Sequence, residues 1–467
     1  MTAAEIHTDN GSWAELLTGG NAPRFAMVLL GVWLTAVDSL VTSTIMPTVG
    51  ADLGGYALFG WAVAGFFVGV VLASASAGRL SEIFGLGRAT VMSALLFAAG
   101  CALSAIAWDM PVFLFGRLVQ GIGSGWIAGF AMVAVGALFA EKHLARVFAS
   151  VTAVWGVATL LGPLVGGVFA EAGNWRGVFW FFVVQALAFG ALAAVLLRDQ
   201  SKPKKESRVP WLQLAVLALA VAAAAAANVV GKAWVAAGMT LLGGALCLVV
   251  LSIERRASVT LLPRAAFRLR TVGAGYLAMF ALTAALTGLL AYGPAVLQEL
   301  HGLSSLQAGY AVTMQALAWT ACAFCVAGTP PGGGKGWIRA GGVLVLSGLA
   351  LLAAFTSNAP LPLFLLAATV TGAGFGLSSS LMNRRVLGLL GEHDKATGSS
   401  ALIAVRQTGG AFGAAVAGTT ANLAGFGTGL TLQTAEATGL WVFVTAIPFA
   451  AIGAWAAWHM AAKKADG

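Results

Sequence analysis

The 467-residue chain is 59% hydrophobic and 9% charged, with a mean hydropathy of +0.89 and a formal net charge of +9. Soluble globular chains carry about 25% charged residues, so this composition excludes a soluble globular protein and predicts one that crosses a membrane many times. Basic membrane proteins owe such a charge excess to their cytoplasmic loops, and we expect no nucleic-acid partner because no soluble basic domain is present to bind one.

Apolar runs long enough to cross a bilayer follow one another along the chain. Roughly 20 apolar residues span ~30 Å of hydrocarbon, and a segment in lipid must satisfy its backbone hydrogen bonds internally, so the runs are predicted to be α-helices and the fold all-α. Turn-forming residues and charges separate fourteen spans, at 25–48, 58–78, 89–107, 111–138, 146–170, 177–197, 211–231, 234–253, 272–297, 307–327, 338–356, 361–383, 398–424 and 437–460.

The distribution of lysine and arginine predicts the orientation of these spans. If the N-terminus is cytoplasmic, nearly all basic loop residues lie on the cytoplasmic side, and the opposite side holds only Arg176 and Lys232. This asymmetry is what the positive-inside rule predicts for an even number of spans. We therefore expect a multi-pass protein of a bacterial inner membrane with both termini in the cytoplasm.

The spans divide into two groups of six, separated by a central pair. Two six-helix halves are typical of a transporter with its site at the midplane between them. The central pair has few polar side chains, and we interpret it as an accessory hairpin outside the transport pathway. The predicted segments are a cytoplasmic N-terminal segment at 1–24, a six-helix bundle at 25–200, basic linkers with two extra transmembrane helices at 201–270, a second six-helix bundle at 271–460 and a cytoplasmic tail at 461–467.

One carboxylate stands apart because it lies at membrane depth. Asp38 falls near the middle of the first span, whereas every other acidic residue lies outside the long apolar runs or at their edges. A charge at this depth costs roughly 2.5–3.5 kcal/mol on insertion scales, so such residues are usually functional. Arg117 reaches a comparable depth in the fourth span. Burial favours a neutral carboxyl and a nearby arginine favours its charged form, so we predict that Asp38 carries a proton and that Arg117 tunes it. The alternative is a static ion pair that holds the bundle together.

Polar residues recur at helical spacing on the same spans. Arg117, Gln120 and Ser124 stand at i, i+3 and i+7 on the fourth span, and Asp38 and Thr42 are one turn apart on the first. Polar faces on two otherwise apolar helices predict that both helices line a wet cavity.

The second half is expected to supply the rest of this cavity. Arg406 lies inside the thirteenth span, and the spans of the second half contain no acidic residue to pair with it. We therefore predict that Arg406 faces the cavity, rather than a backbone carbonyl or the membrane interface. An apolar pocket with few polar groups suits a lipophilic substrate, although each single aromatic is more often a packing or lipid-facing residue. The other candidate cavity residues are Trp126, Trp155, Tyr276, Thr287, Tyr292, Gln315 and Gln407.

Several ordered motifs resemble those of the major facilitator superfamily. The loop at 78–88 resembles its signature between the second and third helices, 117–123 resembles its fourth-helix motif, and 158–167 resembles the fifth-helix motif of its antiporters. The stretch 38–47 is similar to the first-helix motif of its fourteen-helix drug/proton antiporter branch. Two short segments, 174–176 and 406–410, also resemble features of that branch.

This resemblance implies a function and a set of gating residues. It implies a proton-coupled antiporter of the drug-efflux type, which exports lipophilic or amphiphilic small molecules by alternating access. Glu82 departs from the loop motif, where aspartate is usual, and Ala158 replaces the first glycine of the fifth-helix motif. The residues implied in gating and conformational change are Gly78, Glu82, Gly85, Arg88, Gly162, Pro163, Gly166 and Gly167.

Other functions and partners follow from what the chain lacks. The four cysteines lie within apolar runs, so neither a disulfide nor a metal site is indicated, and we expect no cofactor beyond the proton gradient. No nucleophile or His/Cys/Asp/Glu constellation lies at one depth, so an enzyme is not expected. The alternatives are an exporter of an endogenous lipid or metabolite and, less favoured, a proton-coupled importer. The expected partners are a small lipophilic substrate and the lipid bilayer, with the protein as a monomer.

Overall fold

The computed structural model describes residues 13–18, 20–198, 210–230, 232–269, 271–330, 333–356, 360–391 and 394–462. Within these ranges the regular secondary structure is helical. The α-helices are α1 (Trp13–Leu17), α2 (Asn21–Leu53), α3 (Phe59–Phe84), α4 (Leu86–Ala105), α5 (Met110–Leu138), α6 (Glu141–Glu171), α7 (Trp175–Leu196), α8 (Trp211–Ala226), α9 (Ala233–Glu254), α10 (Val272–His301), α11 (Ser305–Ala327), α12 (Lys335–Phe355), α13 (Leu361–Gly388), α14 (Lys395–Leu423) and α15 (Leu432–Ala462).

Helices α2 to α15 occupy the fourteen predicted span positions in order. Twelve helices in the described ranges are long and apolar enough to cross a membrane, which confirms an all-helical, multi-pass protein. Two of the fourteen are not among the twelve: α8 has only 16 residues, and α14 is rich in glycine, serine and threonine and carries Arg406. The predicted count of fourteen crossings, with a central transmembrane pair, is therefore not confirmed.

The predicted division into segments stays a prediction. Most of the N-terminal segment (1–12), most of the basic linker (199–209) and the end of the tail (463–467) lie outside the described residues.

The two six-helix halves share one pattern of helix pairing. In the first half α2 packs against α6, α3 and α4 against α5, and α4 against α7. In the second half α10 packs against α14, α11 and α12 against α13, and α12 against α15. Each first-half pair thus has a counterpart eight helices later. The same relation links the contacts between the halves, where α3 lies against α14 and α6 lies against α11.

Consecutive helices alternate in direction, which defines two faces of the bundle. We call the face where α2 begins and α15 ends the terminal face, and the opposite face, where α2, α6, α10 and α14 end, the distal face. The halves meet at the distal face: the Phe59 ring centroid at the start of α3 lies 5.4 Å from that of Tyr292 and 5.1 Å from that of Phe426. Nearby, the Leu306 amide donates a hydrogen bond of 3.3 Å to Glu171. The structure is therefore closed at its distal face.

Candidate functional site

Asp38 and Arg117 meet in a buried cluster that also includes Gln120, and we call these three residues the Asp38 cluster. Arg117 Nη1 lies 3.1 Å from Asp38 Oδ1 and 3.3 Å from Oδ2. Gln120 Nε2 donates to Asp38 Oδ1 at 2.7 Å, and Arg117 Nη1 donates to Gln120 Oε1, also at 2.7 Å. The three residues are at most 1% exposed, so the carboxylate and the guanidinium are both withdrawn from solvent in this conformation.

The surroundings of the cluster come from three helices of the first half. Asp38 lies on α2 and Arg117 on α5, while α3 supplies the Ala62 carbonyl, 3.5 Å from Arg117 Nε. The Phe66 ring of α3 lies under the guanidinium, 4.4 Å from its central carbon. Thr42 and Ser124, the other predicted polar residues of α2 and α5, are each 2% exposed.

This arrangement can link protonation to movement. The carboxylate accepts from the Arg117 guanidinium and the Gln120 amide, so protonating Asp38 removes the charge that both donors face. A buried arginine without its partner charge is strongly destabilised, which favours a rearrangement that exposes or re-pairs it. The chemistry available to the cluster is therefore proton transfer at one carboxyl. Its role in coupling stays a prediction.

One side of α6 changes from packed to exposed toward the terminal face. Trp155, Gly162 and Gly166 share one side of α6, because they are spaced at i, i+7 and i+11. This side is opposite to the exposed stripe that includes Leu161 and Val168. Near the distal face it is packed against α2, whereas Trp155, closer to the terminal face, is 39% exposed. Trp155 is thus exposed on the inward side of α6, and its part in a substrate cavity stays a prediction.

Arg406 lies on the side of α14 that faces α10 and α3. Gly409, three residues later on α14, packs against the Phe280 backbone of α10, and Gly410 packs against the Phe67 ring of α3. Helical geometry therefore directs Arg406 between α10 and α3, where it is half-buried. Among the described residues, no carboxylate lies within ion-pair distance of its guanidinium.

Three of the predicted cavity residues are packed between helices instead. Tyr276 is 5% exposed and its hydroxyl donates to the Gly398 carbonyl of α14 at 3.0 Å. Tyr292 is 1% exposed within the distal aromatic contacts. Thr287 is 5% exposed and its hydroxyl donates to a carbonyl one turn earlier on α10. These side chains present almost no surface to a substrate in this conformation.

The remaining cavity candidates are half-buried. The Trp126 indole donates to the Ser76 hydroxyl of α3 at 2.9 Å, which ties α5 to α3. Gln315 on α11 and Gln407 on α14 are each partly accessible. Their part in substrate binding stays a prediction.

The predicted gating loop turns between α3 and α4 at the terminal face. Gly85 ends α3 and precedes α4 with φ +81°, a conformation that side-chain-bearing residues rarely adopt. Glu82 forms a 3.7 Å ion pair with Arg79 one turn earlier, and both side chains are more than 40% exposed. Arg88 is exposed, and Gly78 has open space where a Cβ would lie. The loop therefore presents its charges at the surface.

The glycines of the predicted fifth-helix motif sit between helices of both halves. A Cβ added to Gly162 would lie 2.7 Å from a side-chain atom of α2, and one added to Gly167 would lie 2.7 Å from the α11 backbone. Gly166 faces α2 and Pro163 faces α11 in the same way. Small residues here allow three helices to converge at the distal face.

The short segment at 174–176 has a structural explanation. Trp175 Nε1 and Arg176 Nη1 both donate to Asp52 Oδ2, at 3.1 Å and 2.5 Å. Arg176 also donates to the Ala107 carbonyl at 2.9 Å. The segment thus fastens the start of α7 to the end of α2 and to the loop after α4.

Sequence reasoning missed the residues that join the halves at the distal face. Tyr56, Phe59 and Phe426 form ring contacts there, and Asn228 and Asn422 form hydrogen bonds. The aromatics are indistinguishable in sequence from lipid-facing ones. The signal for Asn228 was present, as an amide beside the hairpin of the central pair, but its partners lie almost 200 residues away.

Comparison with known proteins places these features in a family context. The family description "Major Facilitator Superfamily" matches residues 28–414. A protein named probable multidrug-efflux transporter, from Mycobacterium tuberculosis, is 28% identical over 96% of this chain and 96% of its own length. Multidrug resistance protein 3 of Bacillus subtilis is 25% identical over 61% of this chain and 57% of its own length.

Solved structures show the same fold at low identity. A D-xylose–proton symporter aligns with a TM-score of 0.63 at 18% identity, over 91% of this chain and 97% of its own. A POT family transporter in complex with 5-aminolevulinic acid aligns with a TM-score of 0.65 at 12% identity, over 91% of this chain and 94% of its own. The relatives point to a transporter rather than an enzyme.

Proposed function

The chain belongs to the Major Facilitator Superfamily, and from this premise we propose that it is a proton-coupled antiporter that exports lipophilic or amphiphilic small molecules. The names of its relatives support a transporter of the multidrug-efflux type. The observation that carries proton coupling is the Asp38 cluster, a carboxylate with 0% exposure whose charge is met by one arginine and one glutamine amide.

The proposed cycle uses this carboxylate as the proton carrier. In the distally closed conformation Asp38 is sealed among α2, α3 and α5, so a proton reaches it only after the surrounding helices rearrange. Protonation weakens its attraction to Arg117 and favours the rearranged state, and deprotonation restores the pair. Substrate and proton bind alternately, each favouring one of the two states, and this alternation drives export.

The proposed substrate site is the gap between the halves. Trp155 supplies an exposed aromatic surface from α6, and Arg406 supplies a charge from α14. The site is proposed to hold few other polar groups, which suits a lipophilic body with one polar end. We further propose fourteen crossings as in the drug/proton antiporter branch, cytoplasmic termini, a bacterial inner-membrane location, and a monomer that needs no cofactor beyond the proton gradient.

Uptake of a fluorescent lipophilic cation into inverted membrane vesicles tests this proposal. Wild type and Asp38→Asn are compared at matched expression, with and without a protonophore. Glu436→Gln is the control, since Glu436 is an acidic residue of α15, which is not one of the three helices that enclose the cluster. We expect uptake by wild type and by the control, and its loss with Asp38→Asn or with the protonophore. Full uptake by Asp38→Asn would contradict proton carriage by this residue.

A second candidate is the export of an anionic endogenous lipid or metabolite. Arg406 favours it, because a guanidinium without a carboxylate partner in the described residues can bind an acidic head group. Competition of an anionic amphiphile with the cationic dye in the same vesicles tests this candidate. Strong transport of the anion and none of the cation would replace drug efflux with this function.

A further inference from the structure

We propose that the α8–α9 pair acts as a conformational lock, in which Asn228 fastens the first half of the bundle to the second at the distal face. The described residues that follow α8, 227–230, are called the central hairpin. The proposal rests on the proposed alternation between distally closed and distally open states, and it gives the central pair a role in that alternation.

The position of α8 is the first argument. Helix α8 packs against α3 of the first half and against α14 of the second half, so it covers the line where these helices meet. The 3-10 turn of the central hairpin, Ala227–Val229, contacts α14 and the turn at Tyr56–Leu58 that precedes α3. The pair is therefore seated on the contact between the halves rather than on one half.

The hydrogen bonds of Asn228 are the second argument. Asn228 is 2% exposed, and its Oδ1 accepts a 2.7 Å hydrogen bond from the Thr419 hydroxyl of α14. The Asn422 amide of α14 donates to the Asn228 carbonyl and also to the Ala57 carbonyl, at 2.5 Å in both cases. One α14 side chain thus holds the hairpin and the first half together.

The fit of the Asn228 side chain between two glycines is the third argument. A Cβ on Gly60 of α3 would lie 2.9 Å from Asn228 Nδ2, and one on Gly418 of α14 would lie 2.7 Å from the same atom. The Gly60 Cβ would also lie 2.9 Å from the Gly418 Cα, so the two backbones are almost in contact. The Asn228 amide therefore fills the narrow slot between Gly60 and Gly418, and this slot exists only while α3 and α14 are packed together.

Two buried polar atoms at the lock destabilise the closed state. Asn228 Nδ2 and the Tyr292 hydroxyl are buried beside Gly60 and make no hydrogen bond to the described protein groups. A buried polar atom without a partner costs free energy, which partly offsets the hydrogen bonds of the hairpin. The closed state is thus stabilised but not irreversibly so, as a transport cycle requires.

The contacts indicate which half the hairpin follows. The side-chain hydrogen bonds of Asn228 and Asn422 join the hairpin to α14, whereas the first half contributes the Ala57 carbonyl and the packing of Gly60. When the distal face opens, the Asn422–Ala57 bond breaks and Gly60 withdraws. The hairpin then stays with α14 of the second half.

Distance measurements between spin labels on the two halves test the lock without measuring transport. Labels are attached at Trp108→Cys, in the distal loop of the first half, and at Gln433→Cys, at the exposed start of α15. Cys101 is 0% exposed and is kept, while the other native cysteines are replaced by alanine: Cys247, Cys322 and Cys325. The full chain is reconstituted in lipid nanodiscs.

We expect Asn228→Ala and Thr419→Val each to raise the ratio of long to short distances about fivefold, the effect of losing one net hydrogen bond. Gly60→Ala, which places a methyl group in the slot, should also raise the ratio of long to short distances. Thr240→Val is the matched control, because within the described part of the chain the Thr240 hydroxyl of α9 bonds to its own helix. It should leave the distances unchanged.

The outcomes separate the lock from the proposed transport function. Unchanged distances in Asn228→Ala, Thr419→Val and Gly60→Ala would overturn the lock, whatever the vesicles transport. Thr419→Val removes only one hydroxyl, so it tests the lock if the other two variants fail to fold. A shift toward long distances supports the lock even if Asp38→Asn proves fully active, a result that would contradict only proton carriage.

Discussion

Replacing Arg117 by glutamine should leave the Asp38 carboxyl buried without its positively charged partner. The free energy by which this destabilises the folded protein should depend on pH. Asp38 is 0% exposed and would keep only the Gln120 amide as a donor from the cluster. A carboxylate so enclosed is held as the neutral acid. Neutralising an ordinary carboxyl costs about 1.4 kcal/mol for each pH unit above ~3.9, which is about 4 kcal/mol at pH 7 and about 1.5 kcal/mol at pH 5. The first value agrees with the roughly 3–5 kcal/mol typical of breaking a buried pair.

The expected result is a loss of stability that shrinks on acidification. The sign follows from linkage: folding of the variant takes up a proton, so its stability falls as the pH rises. Thermal unfolding of the purified protein in detergent, at pH 5 and pH 7, measures the difference between variant and wild type. Arg88→Gln is the control, because Arg88 is exposed in the loop before α4.

A double variant provides the decisive comparison. Asp38→Asn combined with Arg117→Gln removes both charges while keeping amides that can hydrogen-bond in the same place. Its stability relative to wild type should depend much less on pH than that of Arg117→Gln. An Arg117→Gln variant with the same destabilisation at pH 5 and pH 7 would refute the argument, because the carboxyl would then not be the source of the cost.

Three further predictions concern the rest of the bundle. Gly167→Ala should push α6 away from the α11 backbone, cost roughly 1–3 kcal/mol of overpacking and reduce dye transport, whereas Gly156→Ala, with open space at its Cβ, should be neutral in the same assay. Arg406→Gln should raise transport of a cationic dye relative to an anionic dye of similar size, whereas Arg406→Lys should keep the wild-type ratio of the two. The same ratio in wild type and in both variants would place Arg406 outside the substrate site. Arg176→Gln should lower the unfolding free energy by no more than about 1 kcal/mol, because the side chains of the Asp52 pair are 37% and 47% exposed, and this loss should shrink in high salt during thermal unfolding.

The helices and the central charge pair could be predicted because lipid imposes simple rules. An apolar run of bilayer length must be a helix, and a carboxylate inside one must have a partner. These rules located α2 to α15 and brought Asp38 and Arg117 together as expected. Hydropathy does not decide whether α14 crosses the membrane. Its glycine and threonine residues lower its hydropathy, but a helix of this kind is tolerated inside a bundle.

The directions of individual side chains could not be predicted in the same way. In a helix that is apolar all round, periodicity does not separate a packed face from a cavity face. Tyr276 and Tyr292 were therefore assigned to the cavity, but one hydrogen-bonds to α14 and the other lies among the distal aromatic rings. Asn228 is a similar case, because its environment depends on residues from α3, α10 and α14 that only the folded chain brings together.

The repeated helix pairing gives the bundle two equivalent seams, α3–α14 and α6–α11, and the central pair breaks that equivalence. In the described residues, α8 packs along the first seam, while beside the second seam α6 exposes Leu160 and Leu164. A molecule dissolved in the hydrocarbon therefore meets a covered seam on one side of the protein and an uncovered seam on the other. We therefore expect a lipophilic molecule that enters sideways from the bilayer to pass the α6–α11 seam rather than the α3–α14 seam.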